Sequence, residues 1–321
     1  MLFATVLLIV GLVLLVYGAD RLVYGAAVLA RSFGISPLII GITIVGFGTS
    51  LPELIVSVTA ALNQQIDMAV GNVLGSNIAN ILLILGSAAL IRPLTVHSEL
   101  LRREFPLMLL VTVLCGFLLH DSYLSRTDGV LLLIAAGLFM LLMFRMTRLA
   151  QQDGSDALAQ EQLAELPQED SNQTVAILWL ILGLIILPMA ARMVIDNATV
   201  IARHFHISEL TIGLTVLAIG TSLPELATAI VGTLKKEDDI ALGNLIGSNI
   251  FNIAIVLGVP ALLSPGALNP LAFQRDYWVM LGASALLTAL CLSKKRCIGQ
   301  GAGALLLCAF IAYLSALFFF P

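Results

Sequence analysis

Charge is scarce in this chain: 11% of its 321 residues are Asp, Glu, Lys or Arg, less than half of the roughly 25% usual in a soluble domain. That scarcity excludes a soluble enzyme and a disordered chain, which needs high charge and little apolar mass. The net charge of −4 is too small to draw nucleic acid. Cysteine is sparse too. Cys115, Cys291, Cys297 and Cys308 lie in or beside apolar runs with no CxxC pair, so a disulfide scaffold is set aside and packing roles are expected. No base precedes the first apolar run, and Tyr17-Gly-Ala-Asp-Arg21 follows it where a signal peptide would carry small residues for cleavage.

What the chain has is apolar mass, with 59% hydrophobic residues and a mean hydropathy of +1.02. Runs such as Met1–Gly18 are unbroken, whereas a membrane barrel alternates over short strands. Helices satisfy their own backbone polar groups in lipid. The expected fold class is therefore an all-α polytopic membrane protein with the lipid bilayer as its main partner. A span takes about 20 residues, and candidates fall near 1–18, 36–62, 68–90, 105–120, 128–148, 174–191, 208–234, 240–263, 276–293 and 299–320. Ten transmembrane helices divide into 1–147, an acidic linker 148–173 and 174–321. The linker carries Asp153, Asp156, Glu161, Glu165, Glu169 and Asp170 but no DxDxDG spacing, so it reads as a solvated connection.

Basic residues orient the spans. Loops after odd-numbered spans hold Arg21, Arg31, Arg92, Arg102, Arg103, Arg145, Arg148, Lys235, Lys236, Lys294, Lys295 and Arg296. The other side holds Arg126, Arg192, Arg203 and Arg275. Basic loops stay in the cytoplasm, which puts the linker inside and both termini outside.

The chain also repeats itself. Gly48-Thr-Ser-Leu-Pro-Glu-Leu54 returns as Gly220-Thr-Ser-Leu-Pro-Glu-Leu226, and Gly71-Asn72 with Gly75-Ser-Asn-Ile78 returns as Gly243-Asn244 with Gly247-Ser-Asn-Ile250. Between 36–86 and 208–258, 25 of 51 positions are identical without a gap, at an offset of 172 residues. Each half holds five spans, an odd number, so the second half enters the membrane from the opposite side. Two inverted five-helix repeats are the plan of many secondary transporters, whose substrate site lies near mid-membrane where the repeats meet.

The repeat carries the chemistry. Glu53 and Glu225 are the acids well inside the second and seventh spans, where an ionised group costs on the order of 3 kcal/mol. Neither span has a Lys or Arg in its core to pair with them. Pro52 and Pro224 lack an N–H and clash with the carbonyl four residues back, freeing backbone oxygens around Thr49 and Thr221. Ser50 and Ser222 add hydroxyls. On the following helix, Asn72, Ser76 and Asn80 share one face, as do Asn244, Ser248 and Asn252. Of these, Ser76, Asn80, Ser248 and Asn252 are favoured as ligands; Asn72 and Asn244 divide evenly between ligation and interhelical hydrogen bonding. Gly71, Gly75, Gly243 and Gly247 run alongside as GxxxG, expected to allow close helix approach. Asn77 and Asn249 are offset and read as packing or backbone contacts. All donors are oxygens, suited to hard cations such as Ca²⁺ or Na⁺. His97, His120, His204 and His206 sit at span ends or in loops, leaving no base beside Ser50 or Ser222 for an intramembrane hydrolase.

GTSLPEL followed by GNxxGSNxxN, present twice, resembles the α-repeats of the cation/Ca²⁺ exchanger superfamily, and most nearly its bacterial K⁺-independent Na⁺/Ca²⁺ exchanger-like members. The resemblance covers nearly the whole chain. It implies a non-enzymatic antiporter of a prokaryotic inner membrane, with Ca²⁺ and Na⁺ as transported ions. No cofactor and no obligatory protein partner is implied. Glu53 and Glu225 would be the central ligands, Thr49, Ser50, Thr221 and Ser222 would complete flanking sites, and Ser76, Asn80, Ser248 and Asn252 would close the cluster. Some members carry an Asp at one of the positions occupied by Asn80 and Asn252, whereas both are amides here. Two carboxylates balance one Ca²⁺ or two Na⁺, so the counter-ion stays open between Na⁺ and H⁺. A cation channel, of a different class, would share the oxygen-lined path without a counter-ion.

Overall fold

The computed structural model describes residues 1–96, 104–153, 173–205, 218–292 and 297–319. Of the sequence features above, His97, His206, Arg102, Arg103, Lys294–Arg296 and most of the linker lie outside them. Among the described residues the elements in chain order are α1 (Leu2–Phe33), α2 (Pro37–Thr49), α3 (Leu51–Leu62), α4 (Ile66–Ile91), α5 (Glu104–Leu119), α6 (Arg126–Asp153), α7 (Gln173–His204), α8 (Ala218–Thr221), α9 (Leu223–Lys235), α10 (Asp238–Leu263), α11 (Trp278–Cys291) and α12 (Gln300–Phe319). Four two-residue strands join them: β1 (Leu94–Thr95), β2 (Tyr123–Leu124), β3 (Gly266–Ala267) and β4 (Cys297–Ile298). Among the described residues six helices are long and apolar enough to cross a membrane, or seven if α2 and α3, bent by 41°, form one span. The 16-residue α5 falls below that length, and the 14-residue α11 directly continues a six-residue π-helical turn, Ala272–Tyr277.

The chain forms two compact units, Met1–Pro52 with Arg145–Asn244, and Glu53–Phe144 with Leu245–Pro321. In the first, α1 and α7 run antiparallel. Residues 25, 18 and 11 of α1 meet 176–180, 186–187 and 190–194 of α7 in turn. A Cβ on Gly25 would stand 2.7 Å from the Ala176 carbonyl, so only glycine fits that crossing. Leu22, Ala26, Leu187 and Ala190 fill the seam, with Val231 of α9 and Ile240 of α10.

Both α1 and α7 are 32 residues long, correcting the spans 1–18 and 174–191. The Asp20-Arg21 pair after the first apolar run does not end α1, and those charges are matched within the unit. Lys235 Nζ pairs with Asp20 at 2.8 Å, and the Arg21 guanidinium lies 4.7 Å from the Trp179 ring and 5.3 Å from that of Tyr17, a cation–π arrangement.

In the second unit, α4, α5, α10 and α11 bury Ile78, Ile81, Phe105, Met108 and Phe251, and Phe139 of α6 meets Phe251 edge-on at 6.0 Å. Ser125 and Asp128 cap the start of α6 reciprocally: Ser125 Oγ donates to Asp128 Oδ2 (2.6 Å) and the Asp128 amide to Ser125 Oγ (3.2 Å). Strand β1 pairs with β4 and β2 with β3, both antiparallel. Cys115 and Cys291 are buried free thiols, Cys297 is half-buried and Cys308 is exposed on α12.

Outward faces are apolar, with Leu2 81% and Phe117 70% exposed, while Glu53, Asn80, Glu225 and Asn252 are fully buried. Buried polar side chains beneath apolar exposed faces suit lipid as the solvent. The described elements also keep the sequence offset of 172. Ile66–Ala79 leads into a π-helical Asn80–Leu85, and Asp238–Phe251 into a π-helical Asn252–Leu257. The turns before them match: Gln64 and Lys236 are left-handed at φ 60° and 64°, and the next amides close onto Ala60 O (2.9 Å) and Gly232 O (2.8 Å).

Candidate functional site

Proline sets the local geometry. Pro52 and Pro224 each stand two residues beyond a serine that has left the helix, Ser50 at φ −84°, ψ 5° and Ser222 at φ −90°, ψ 12°. A proline is tolerated at a helix start, where an N–H has no intrahelical partner anyway. The break therefore restarts the helix, and Glu53 and Glu225 fall in the first turns of α3 and α9. There the positive end of the helix dipole favours a carboxylate, a compensation that a kinked continuous helix would not supply.

In the first unit, Thr49, Ser50, Thr221, Ser222 and Glu225 are all at most 2% exposed. Ser50 Oγ donates to Glu225 Oε1 at 3.3 Å. Thr49 Oγ1 donates to Asn244 Oδ1 at 2.9 Å, which commits the Asn244 oxygen to holding Thr49.

In the second unit, Glu53, Ser57, Ser76, Asn77, Asn80, Ser248, Asn249 and Asn252 are buried. Asn72 Nδ2 donates to the Glu53 carbonyl (3.1 Å) and to Ser57 Oγ (2.9 Å), so its amide braces α3. Both evenly weighed asparagines thus serve as hydrogen-bond partners. Asn80 Nδ2 donates to Asn249 Oδ1 and Asn252 Nδ2 to Asn77 Oδ1, each at 3.0 Å. The oxygens left over, Asn80 Oδ1, Asn252 Oδ1 and Ser76 Oγ, are buried with no hydrogen-bond partner among the described residues. An unmatched buried polar atom costs about 1–3 kcal/mol, and a hard cation is the kind of ligand that would satisfy such oxygens.

A π-helical turn begins at Asn80 and again at Asn252, and such turns recur at functional positions. The GxxxG expectation needs correction on the first repeat. A Cβ on Gly71 or Gly75 would meet nothing within 4 Å, whereas one on Gly243 would stand 2.6 Å from the Leu38 carbonyl. Identical letters carry different loads because Gly243 is buried against α2 and Gly71 is exposed.

The sodium/calcium exchanger protein family model matches residues 3–145 and 175–319. The chain belongs to the sodium/calcium exchanger family. This exchanger chain is 60% identical to the inner membrane protein YrbG of Escherichia coli K12 over 318 residues, covering 99% of the chain and 98% of the relative. It is 50% identical to the putative antiporter CaxA of Alkalimonas amylolytica, with 99% of each covered, and 31% identical to the sodium/calcium exchanger MaX1 of Methanosarcina acetivorans, with 91% of each covered. Among solved structures, the sodium–calcium exchanger NCX_Mj superposes with a TM-score of 0.82 at 30% identity over 99% of both chains. It is a multi-pass membrane protein of a transporter family.

Beyond the packing or backbone contacts expected of Asn77 and Asn249, the structure sets their side chains, backed by Met280 and Met108, beside the amides of Asn252 and Asn80. Asn77 does make the expected backbone contact, to Asn249 O at 3.2 Å. Its side-chain oxygen also receives Asn252, a contact across 175 residues. The only sequence signal for it was GSN recurring intact in both halves.

Proposed function

We propose that this chain is a ten-helix, inverted-repeat antiporter that exchanges Ca²⁺ for Na⁺ by alternating access. The observation that carries the reading is the set of buried oxygens at repeat-matched positions: Glu53 and Glu225 at 0% exposure, with the unpartnered amide oxygens of Asn80 and Asn252. Thr49, Ser50, Ser76, Thr221, Ser222 and Ser248 complete the proposed ligands. Sodium/calcium exchange is the activity MaX1 is named for, and its transfer to this chain rests on family membership and these donors. Two carboxylates balance one Ca²⁺ or two Na⁺, so the ions compete for the same charge. Ca²⁺ would leave the cell as Na⁺ enters down its gradient. Both termini would face outward and the linker the cytoplasm of a prokaryotic cell.

Reconstituted vesicles test this with ⁴⁵Ca²⁺ uptake as the readout. An imposed Na⁺ gradient should drive uptake, and a pH gradient alone should not. Uptake driven by pH and indifferent to Na⁺ would make the chain a H⁺-coupled exchanger, with Glu53 and Glu225 titrating during the cycle. Uptake persisting with no ion on the opposite side would make it a channel.

A further inference from the structure

Amide side chains are ambiguous ligands, since a half-turn about the last bond swaps a cation-binding oxygen for an NH₂ that repels the cation. Asn80 and Asn252 need something to hold that choice. For Asn252 the hold is a chain of forced assignments. The backbone carbonyl of Asn249 only accepts, so the Asn77 group 3.2 Å from it is the NH₂. Asn77 Oδ1 is then an acceptor, which makes the Asn252 group 3.0 Å away the donor. Asn252 Oδ1 is left as the buried atom with no hydrogen-bond partner among the described residues.

The mirrored half repeats the plan more loosely. Asn80 Nδ2 donates to Asn249 Oδ1 at 3.0 Å, and Asn249 Nδ2 turns to the Met108 sulfur at 4.0 Å. Asn77 Nδ2 likewise reaches the Met280 sulfur at 3.5 Å. Met108 and Met280 are themselves separated by the repeat offset of 172 residues. All of these groups lie within the second unit, and the asparagines and methionines are buried.

We propose that Asn77 and Asn249 are positioning residues for cation binding: each locks the amide of the facing ligand, Asn252 or Asn80, with its oxygen presented to the ion, backed by the thioethers of Met280 and Met108. This deepens the exchanger reading and rests on it. Because Asn77 is anchored by a carbonyl and Asn249 by a sulfur, the Asn252 oxygen is the more rigidly held of the two.

A double-mutant cycle on ⁴⁵Ca²⁺ exchange tests it. Asn77→Leu should raise the KM for Ca²⁺ by about tenfold or more, the cost typical of losing an outer-sphere partner, with maximal flux far less affected. In an Asn252→Ala background the same substitution should change KM by less than about twofold, because it acts through an amide no longer present. Multiplying effects in the double variant would overturn the proposal, as would a KM unmoved by Asn77→Leu or by Asn252→Ala. Should Asn77→Leu fail to fold, Asn249→Leu with Asn80→Ala runs the mirrored cycle. Met280→Leu, nearly volume-conserving, should give a smaller rise in KM. Binding of ⁴⁵Ca²⁺ to the purified native chain separates the two levels. No binding removes the exchanger reading itself, whereas native binding and exchange with a multiplicative cycle removes the positioning role alone.

Discussion

Glu53 and Glu225 are both sealed from water at 0% exposure, where an ionised carboxylate is costly. Their placement in the first turns of α3 and α9 lowers the cost through the helix dipole but does not cancel it. Ca²⁺ should therefore stabilise the native chain, by about 2.7 kcal/mol at a hundredfold excess over Kd. Glu53→Gln or Glu225→Gln should abolish that gain and exchange with it, while folding in ion-free buffer is retained. Thermal unfolding with Ca²⁺ and with chelator reads both outcomes. Outside the spans, burial and the neighbouring Asp239 and Asp238 push the Glu237 carboxyl up to about 7 from 4.5, against opposing pulls from Arg31 and Lys235. The folded state thus favours the neutral acid. That contribution is whole below the unfolded value of 4.5 and is lost as pH rises through about 7. Glu237→Gln should leave stability unchanged near about pH 4 and raise it near about pH 8, as unfolding at the two pH values would show.

Among elements, α4 and α10 share a sequence pattern but not surroundings. Gly243→Ala drives a Cβ toward the Leu38 carbonyl 2.6 Å away, and overpacking of that kind costs about 1–3 kcal/mol. Gly71→Ala meets open space and should be neutral or stabilising by up to about 1 kcal/mol through helix propensity. Melting curves of the two variants in one detergent decide the matter. Periodicity made α4 and α10 legible, since Asn80 and Asn252 head identical polar stripes, but it carried no sign of which face meets another helix. The same limit hid the asparagine network, whose partners lie about 170 residues apart in the chain. The extent of α1 was hidden for a different reason. Asp20 and Arg21 read as the end of an apolar run because Lys235 and Trp179, which neutralise and cover them, are distant in sequence.

For the molecule as a whole, the repeat was the most legible feature, because polar identities such as Thr, Pro, Glu and Asn in one register do not arise from apolar composition. The doubled π turns, the left-handed residues Gln64 and Lys236, and strands β1 and β3 all follow its 172-residue step. Orientation rests on twelve basic residues against four. An enzyme reporter active only after export should work when fused after Pro321 and be silent when inserted within 154–172, with the opposite pattern reversing the topology. One dimension of the fold reaches beyond the protein. At about 1.5 Å per residue, the 32-residue α1 and α7 measure about 48 Å, while a hydrocarbon slab is about 30 Å thick. The pair is long enough to lean or to protrude, so bilayers of different thickness are expected to suit it differently.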